Sequence, residues 1–180
     1  MAREQLDLMA ALVDSLRPPG EAKAAAISDD GRYRYTLERI WDPSKVPAVF
    51  CMLNPSTADA SQDDPTIRRC RGFAQTLGYG GLIVVNLFAL RSTDPTALLD
   101  ADDPIGPGND EQILAAAARG DGTVICAWGT GGALHFRGRD VLALLKKRGG
   151  FRPMRLGPPT NGGNPRHPLY LPRTAALEAL

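Results

Sequence analysis

No apolar run in this 180-residue chain approaches the roughly 20 residues that a membrane-spanning helix needs. The three cysteines, Cys51, Cys70 and Cys126, form no CxxC pair. That spacing argues against a zinc site and against a cysteine-held iron–sulfur cluster, so no metal and no cofactor is expected. Cys51 and Cys126 fall in strand-like apolar runs and read as small buried side chains. Histidine is scarcer still, with only His135 and His167. The formal net charge is +1, which gives no overall attraction towards nucleic acid. Internal repeats and low-complexity segments are lacking, and the first residues, which include Glu4, show no secretory apolar region. The expectation is a cytoplasmic protein with no membrane contact and no obligatory protein partner.

What is present suits one globular domain spanning 1–180, with 43% hydrophobic and 23% charged residues. Residues 48–53 are six consecutive apolar residues, the pattern of a strand buried on both faces, and the run stops at Asn54-Pro55. Proline cannot donate to a sheet ladder and biases the residue before it towards an extended conformation. Asn54 is thus placed at the carboxyl end of a central strand, with Ser56, Thr57 and Asp59 in the loop beyond it. In open α/β sheets ligands bind outside such ends. The same residue types also make an ordinary polar turn.

Along the chain, residues 4–16 have helical apolar spacing that ends at Pro18-Pro19-Gly20. Residues 24–27 and 33–41 flank an Asp-Gly turn and read as a half-exposed edge hairpin. Asp64-Pro65-Thr66 has the form of an N-cap followed by proline at the first helical position, with Ile67, Cys70, Phe73, Ala74 and Leu77 as the inward stripe. Further strands are expected at 82–87, 123–128 and 152–156. Helices are expected from near Asp94-Pro95, at 110–119 with Asn109 and Gln112 as a capping box, and at 133–148. A last helical turn is expected over 173–180. Hairpin, then repeated β–α units with short connections, predicts a three-layer α/β/α sandwich. Its small central sheet is mainly parallel, with the N-terminal hairpin at its edge.

Three strand ends then carry Asn54, Asn86 and Gly129, and a late loop carries His167; in a parallel sheet these converge on one cleft. An asparagine amide offers both a donor and an acceptor, which matches the edge of a nucleobase. His135, among Leu134, Phe136 and Arg137, has no such setting. Charge is uneven: seven acids stand against one base over 94–121, and nine bases against one acid over 137–173. The basic third suits a phosphate-bearing partner and equally a solvated helix face.

The stretches Met52-Leu53-Asn54-Pro55-Ser56, Val84-Val85-Asn86-Leu87, Ala127-Trp128-Gly129 and Pro165-Arg166-His167-Pro168-Leu169, in that order, resemble the uracil-DNA glycosylase superfamily. The resemblance covers roughly residues 48–172. It implies that Asn54 positions a hydrolytic water, Asn86 reads the base, and His167 stabilises the departing base. Phe88 or Tyr170 would stack on that base, and Ser56, Thr57, Arg91, Gly129, Thr130 and Arg166 would form the loop and phosphate contacts. Asn at position 54 removes a carboxylate base, for which Asp59, Asp63 and Asp64 are the candidates to substitute. Leu169-Tyr170 replaces the Ser-Pro of the late motif, so the usual phosphate-contacting serine is missing. The pattern is more similar still to a bacterial and phage family of unknown function. Two readings result: a nucleobase N-glycosidase acting on a modified, mismatched or deaminated base in nucleic acid or a nucleotide, or a non-catalytic base-, nucleotide- or nucleic-acid-binding protein.

Overall fold

The computed structural model describes residues 20–56, 63–94 and 96–180. The helix expected over 4–16 and the loop residues Thr57 and Asp59 lie outside them. The chain is mixed α/β around one seven-stranded sheet in the order β1-β2-β4-β3-β5-β6-β7. Strands β1 (Ala22–Ile27) and β2 (Arg34–Ile40) form the antiparallel hairpin, and β2 pairs antiparallel with β4 (Gly81–Asn86). The middle strands β4, β3 (Pro47–Met52), β5 (Thr123–Cys126) and β6 (Arg152–Leu156) are parallel to one another. Their carboxyl ends therefore share one edge, with Met52 in register with Asn86 and Cys51 with Cys126.

Because the side-chain period of a strand is two, the same strands supply two clusters. Val49, Cys51, Ile83, Val85, Val124 and Cys126 pack with Ile113, Ala116 and Ala117 of helix α3 (Asn109–Arg119) and with Val141 and Leu145 of α4 (Arg137–Gly149). Ala48, Phe50, Met52, Leu82, Val84 and Ile125 pack with Ile67, Cys70, Phe73 and Ala74 of α1 (Pro65–Thr76). A short α2 (Ala97–Asp100) lies between β4 and α3. Asp64 caps α1 as its sequence predicts: the backbone is extended and Oδ1 accepts from the Ile67 amide at 2.8 Å, with Pro65 at the start.

Four expectations are corrected. The hairpin is not half exposed as a pair: β2 has neighbours on both sides, and Arg34, Thr36, Leu37 and Arg39 are buried. Tyr35 is an extra residue there, since Ala26 pairs with Thr36 and Ile27 with Arg34, a β-bulge that breaks the two-residue alternation of a regular strand. The helix expected from 133 is interrupted, because Leu134 is extended and His135 and Phe136 have φ of 50° and 56°, so α4 starts only at Arg137. The last residues form β7 (Leu177–Ala179), antiparallel to β6, rather than a helical turn. Local helix propensity in Ala175–Leu180 yields there to the open edge of β6 and to packing of Leu177 against the core.

Candidate functional site

Beyond the ladder of β3 and β4 the two chains stay side by side. The Leu87 amide donates to the Met52 carbonyl at 2.9 Å and the Phe88 amide to that of Leu53 at 3.0 Å. Asn54 emerges here, half-buried. Its Nδ2 donates to the Ser92 carbonyl at 2.9 Å and to the Pro55 carbonyl at 3.3 Å, while the Ser92 amide donates to the Pro55 carbonyl at 2.9 Å. With the amide nitrogen committed, Oδ1 is the side of Asn54 left to accept from a ligand or a water.

Asn86, 3% exposed, ends β4. Asn109, expected as a helix cap, instead lies inside α3 and has another task. Its Nδ2 donates to the carbonyls of Asn86 and Leu87, both at 3.1 Å, and the N-cap position is taken by Gly108. Arg137, also buried, donates from Nε to the Leu87 carbonyl at 2.9 Å and pairs with Asp110. These two residues fix the backbone that carries Asn86. Neither was visible as a pair in the sequence, since each acts across 22 to 50 positions.

The loops after β5 and β6 join the same edge. Gly129, at φ 67°, donates its amide to the Pro165 carbonyl at 2.8 Å, and a Cβ there would stand 3.8 Å from that of His167. A Cβ on Gly131 would fall 2.5 Å from a Leu53 methyl, so this loop lies between the β3 end and the histidine. Thr130 is exposed. Arg166 donates from Nε to the Pro159 carbonyl at 3.1 Å, which holds the loop that presents His167.

His167 Nδ1 accepts from the Leu169 amide at 3.3 Å. The neutral ring then carries its proton on Nε2. Burial lowers its pKa, with the Asp64 carboxylate opposing. The ring stands 5.8 Å from that of Tyr170, which is 78% exposed. Phe88, the other stacking candidate, is fully buried in the core, its ring at 76° to that of His135, and it presents no exposed face to a base.

Two of the three candidate carboxylates lie among the described residues, and both are engaged. Asp63 pairs with the fully buried Arg39 at 2.7 Å, and Asp64 caps α1. Ser56 is half-buried, and Arg91 is tied to the hairpin turn through the Gly31 carbonyl at 2.8 Å. Among the described residues no group of three or more His, Cys, Asp or Glu is gathered to hold a metal, and no helix is long and apolar enough to cross a membrane.

Next to His167, a groove of about 620 Å³ runs along the outer side of α1, with Arg68, Arg69, Arg71, Leu169 and Arg173 among its lining. Arg69 clamps the histidine loop to α1 through the Pro168 carbonyl at 3.3 Å and the Leu171 carbonyl. Arg71 pairs with Glu21 and covers the Trp41 ring at 4.9 Å.

No curated protein and no solved structure matches the chain. A family model does match, from the first residue of β2 to Leu169 just past the histidine: over residues 34–169 this chain belongs to the family described as protein of unknown function, DUF1643.

Proposed function

We propose that the strand-end cleft is a nucleobase site, built on a three-layer arrangement of the uracil-DNA glycosylase kind, and that it hydrolyses an N-glycosidic bond. The observation that carries this reading is the fixed polarity of its two polar groups. Asn54 is held with Oδ1 as an acceptor, which suits a hydrolytic water, and neutral His167 is held with Nε2–H as a donor. In the proposed reaction the water oxygen bonds to the anomeric carbon, the carbon–nitrogen bond breaks, and the proton the attacking water loses passes to solvent or to the departed base. The base leaves with the bonding pair, its negative charge accumulating on a carbonyl oxygen. A preorganised donor aimed at that charge stabilises the transition state more than the ground state. Asn86 is assigned the base edge, and Tyr170 the exposed aromatic surface beside it. The substrate is a nucleotide or a nucleic-acid strand, with the basic groove along α1 as the path for a strand.

One observation favours the second reading, a binding protein without catalysis. Asp63 and Asp64, two of the three carboxylates considered as a substitute base, are committed to Arg39 and to the helix cap.

The test is base release from oligonucleotides containing uracil, hydroxymethyluracil or a mismatch, and from free nucleosides and nucleotides. His167→Ala should lower turnover by roughly 10²–10³ with little change in binding, the size expected for one oxyanion donor. Asn86→Ala should fold normally and lose binding, since the partner's polar edge is left unpaired. Equal turnover in wild type and His167→Ala on every cleaved substrate refutes the catalytic role of the loop. Binding without release in the wild type selects the second reading.

A further inference from the structure

Arg34 opens β2, next to the edge that gathers Asn54 and His167. Its backbone amide donates to the Ala89 carbonyl at 2.9 Å, three residues before Ser92, whose carbonyl holds the Asn54 amide. The residue is 6% exposed. Its Nε is sealed from solvent with no hydrogen-bond partner, and no other hydrogen bond runs from this guanidinium to a described residue. Buried arginines are ordinarily paired, because a guanidinium carries five donors and a charge that cannot be discharged at neutral pH. Here the neighbouring charges are Arg91 and Arg39, which repel it, and Asp64, which attracts it without a hydrogen bond. Burial and Arg91 together depress its pKa to about 10. Arg39 is already matched by Asp63 at 2.7 Å. Asp64 also acts electrostatically on His167.

We propose that Arg34 anchors an oxyanion site beside the nucleobase cleft and that its ligand is the phosphate of a nucleotide. The planar fork of a guanidinium fits two phosphate oxygens at once, and a dry surrounding strengthens the pair. Neighbouring Arg91 adds positive potential at Arg34. Only the naming of the phosphate as a nucleotide's rests on the nucleobase reading. The oxyanion site stands on Arg34 itself.

Calorimetric titration with inorganic phosphate, and with acetate as the carboxylate probe, tests the site directly. Phosphate should bind saturably to the wild type and acetate more weakly. Arg34→Met should bind phosphate roughly 10- to 100-fold more weakly, and Arg34→Lys about tenfold more weakly, since it keeps the charge and loses the fork. In phosphate-free buffer Arg34→Met should melt within about 2 °C of wild type or above it, because it removes an unpaired buried charge. Unchanged phosphate affinity in Arg34→Met, acetate binding as tight as phosphate, or a large drop in its phosphate-free melting temperature overturns the proposal. A nucleoside 5′-monophosphate should bind at least tenfold more tightly than its nucleoside to the wild type and equally to Arg34→Met. Equal affinities in the wild type overturn the nucleotide assignment. Phosphate binding with no base release from any substrate counts against the glycosidase alone.

Discussion

Removing Asp63 isolates the most deeply buried charge in the sheet. Arg39 is fully buried, Asp63 retains 16% of its side-chain exposure, and the two meet at 2.7 Å. Deleting one partner of a buried pair costs about 3–5 kcal/mol, because the other charge stays desolvated. The partial exposure of Asp63 and the Glu38 carbonyl, which still accepts from Arg39 Nη1 at 2.8 Å, place Asp63→Ala at the lower end, about 3 kcal/mol. For a chain of this length that corresponds to a fall of roughly 6–12 °C in melting temperature. The double variant Arg39→Met, Asp63→Ala removes both charges and should recover most of the loss. Thermal and urea unfolding followed by circular dichroism, arranged as a double-mutant cycle, reads both numbers. If Asp63→Ala lies within about 0.5 kcal/mol of wild type, or the double variant is no better than the single one, the charge-pairing argument for this edge fails.

Two further outcomes follow from burial. His167 has a pKa below its ordinary 6.5, so between the two values the unfolded chain holds a proton that the folded protein does not. Its contribution is complete above pH 6.5 and is lost as pH falls towards the folded value, and protonation of Nδ1 also breaks its bond from the Leu169 amide. His167→Ala should therefore flatten that part of the stability–pH curve, and an unchanged slope refutes it. Burial pushes Cys51 up to about 12 and raises Cys70 and Cys126 as well, and all three are fully enclosed. A disulfide reagent at pH 8 should label none in the native protein and all three in urea; prompt native labelling of any one contradicts the packing.

What the sequence disclosed was local or periodic. Strands β3, β4 and β5 announce themselves as apolar runs stopped by Asn54-Pro55, Asn86 and Trp128-Gly129, and the Asp64-Pro65 cap needs only three residues to be read. The parallel order of those strands follows from the helices between them, and with it the shared edge of Asn54, Asn86 and Gly129. What stayed hidden depends on partners far along the chain. Asn109 looks like a cap because its neighbours do, yet its amide is used 22 and 23 positions away. Arg34 and Thr36 look like the polar side of an edge hairpin, yet both are buried in a strand that has neighbours on both sides. The break before α4 is similarly invisible, since His135 and Phe136 adopt their positive φ where His135 meets Phe88 and Arg137 reaches Leu87.

The distribution of committed and uncommitted groups also constrains any chemistry at the site. Asp63 and Asp64 are both engaged, whereas Arg34 holds a buried positive charge without a hydrogen-bonded counterion among the described residues. Neither of these two acids is free to make hydroxide, and a guanidinium without a hydrogen-bonded partner favours an anion. Under the proposed reaction the work then falls on leaving-group stabilisation: a neutral His167 donor for the charge on the departing base, and a phosphate held by Arg34 to fix the sugar. Asn54→Asp separates these contributions. A carboxylate at position 54 should raise turnover if water activation limits the rate. It should also weaken phosphate binding by bringing a negative charge towards the Arg34–Asp64 cluster. Turnover that falls together with phosphate affinity would show instead that anion capture, not water activation, limits the reaction.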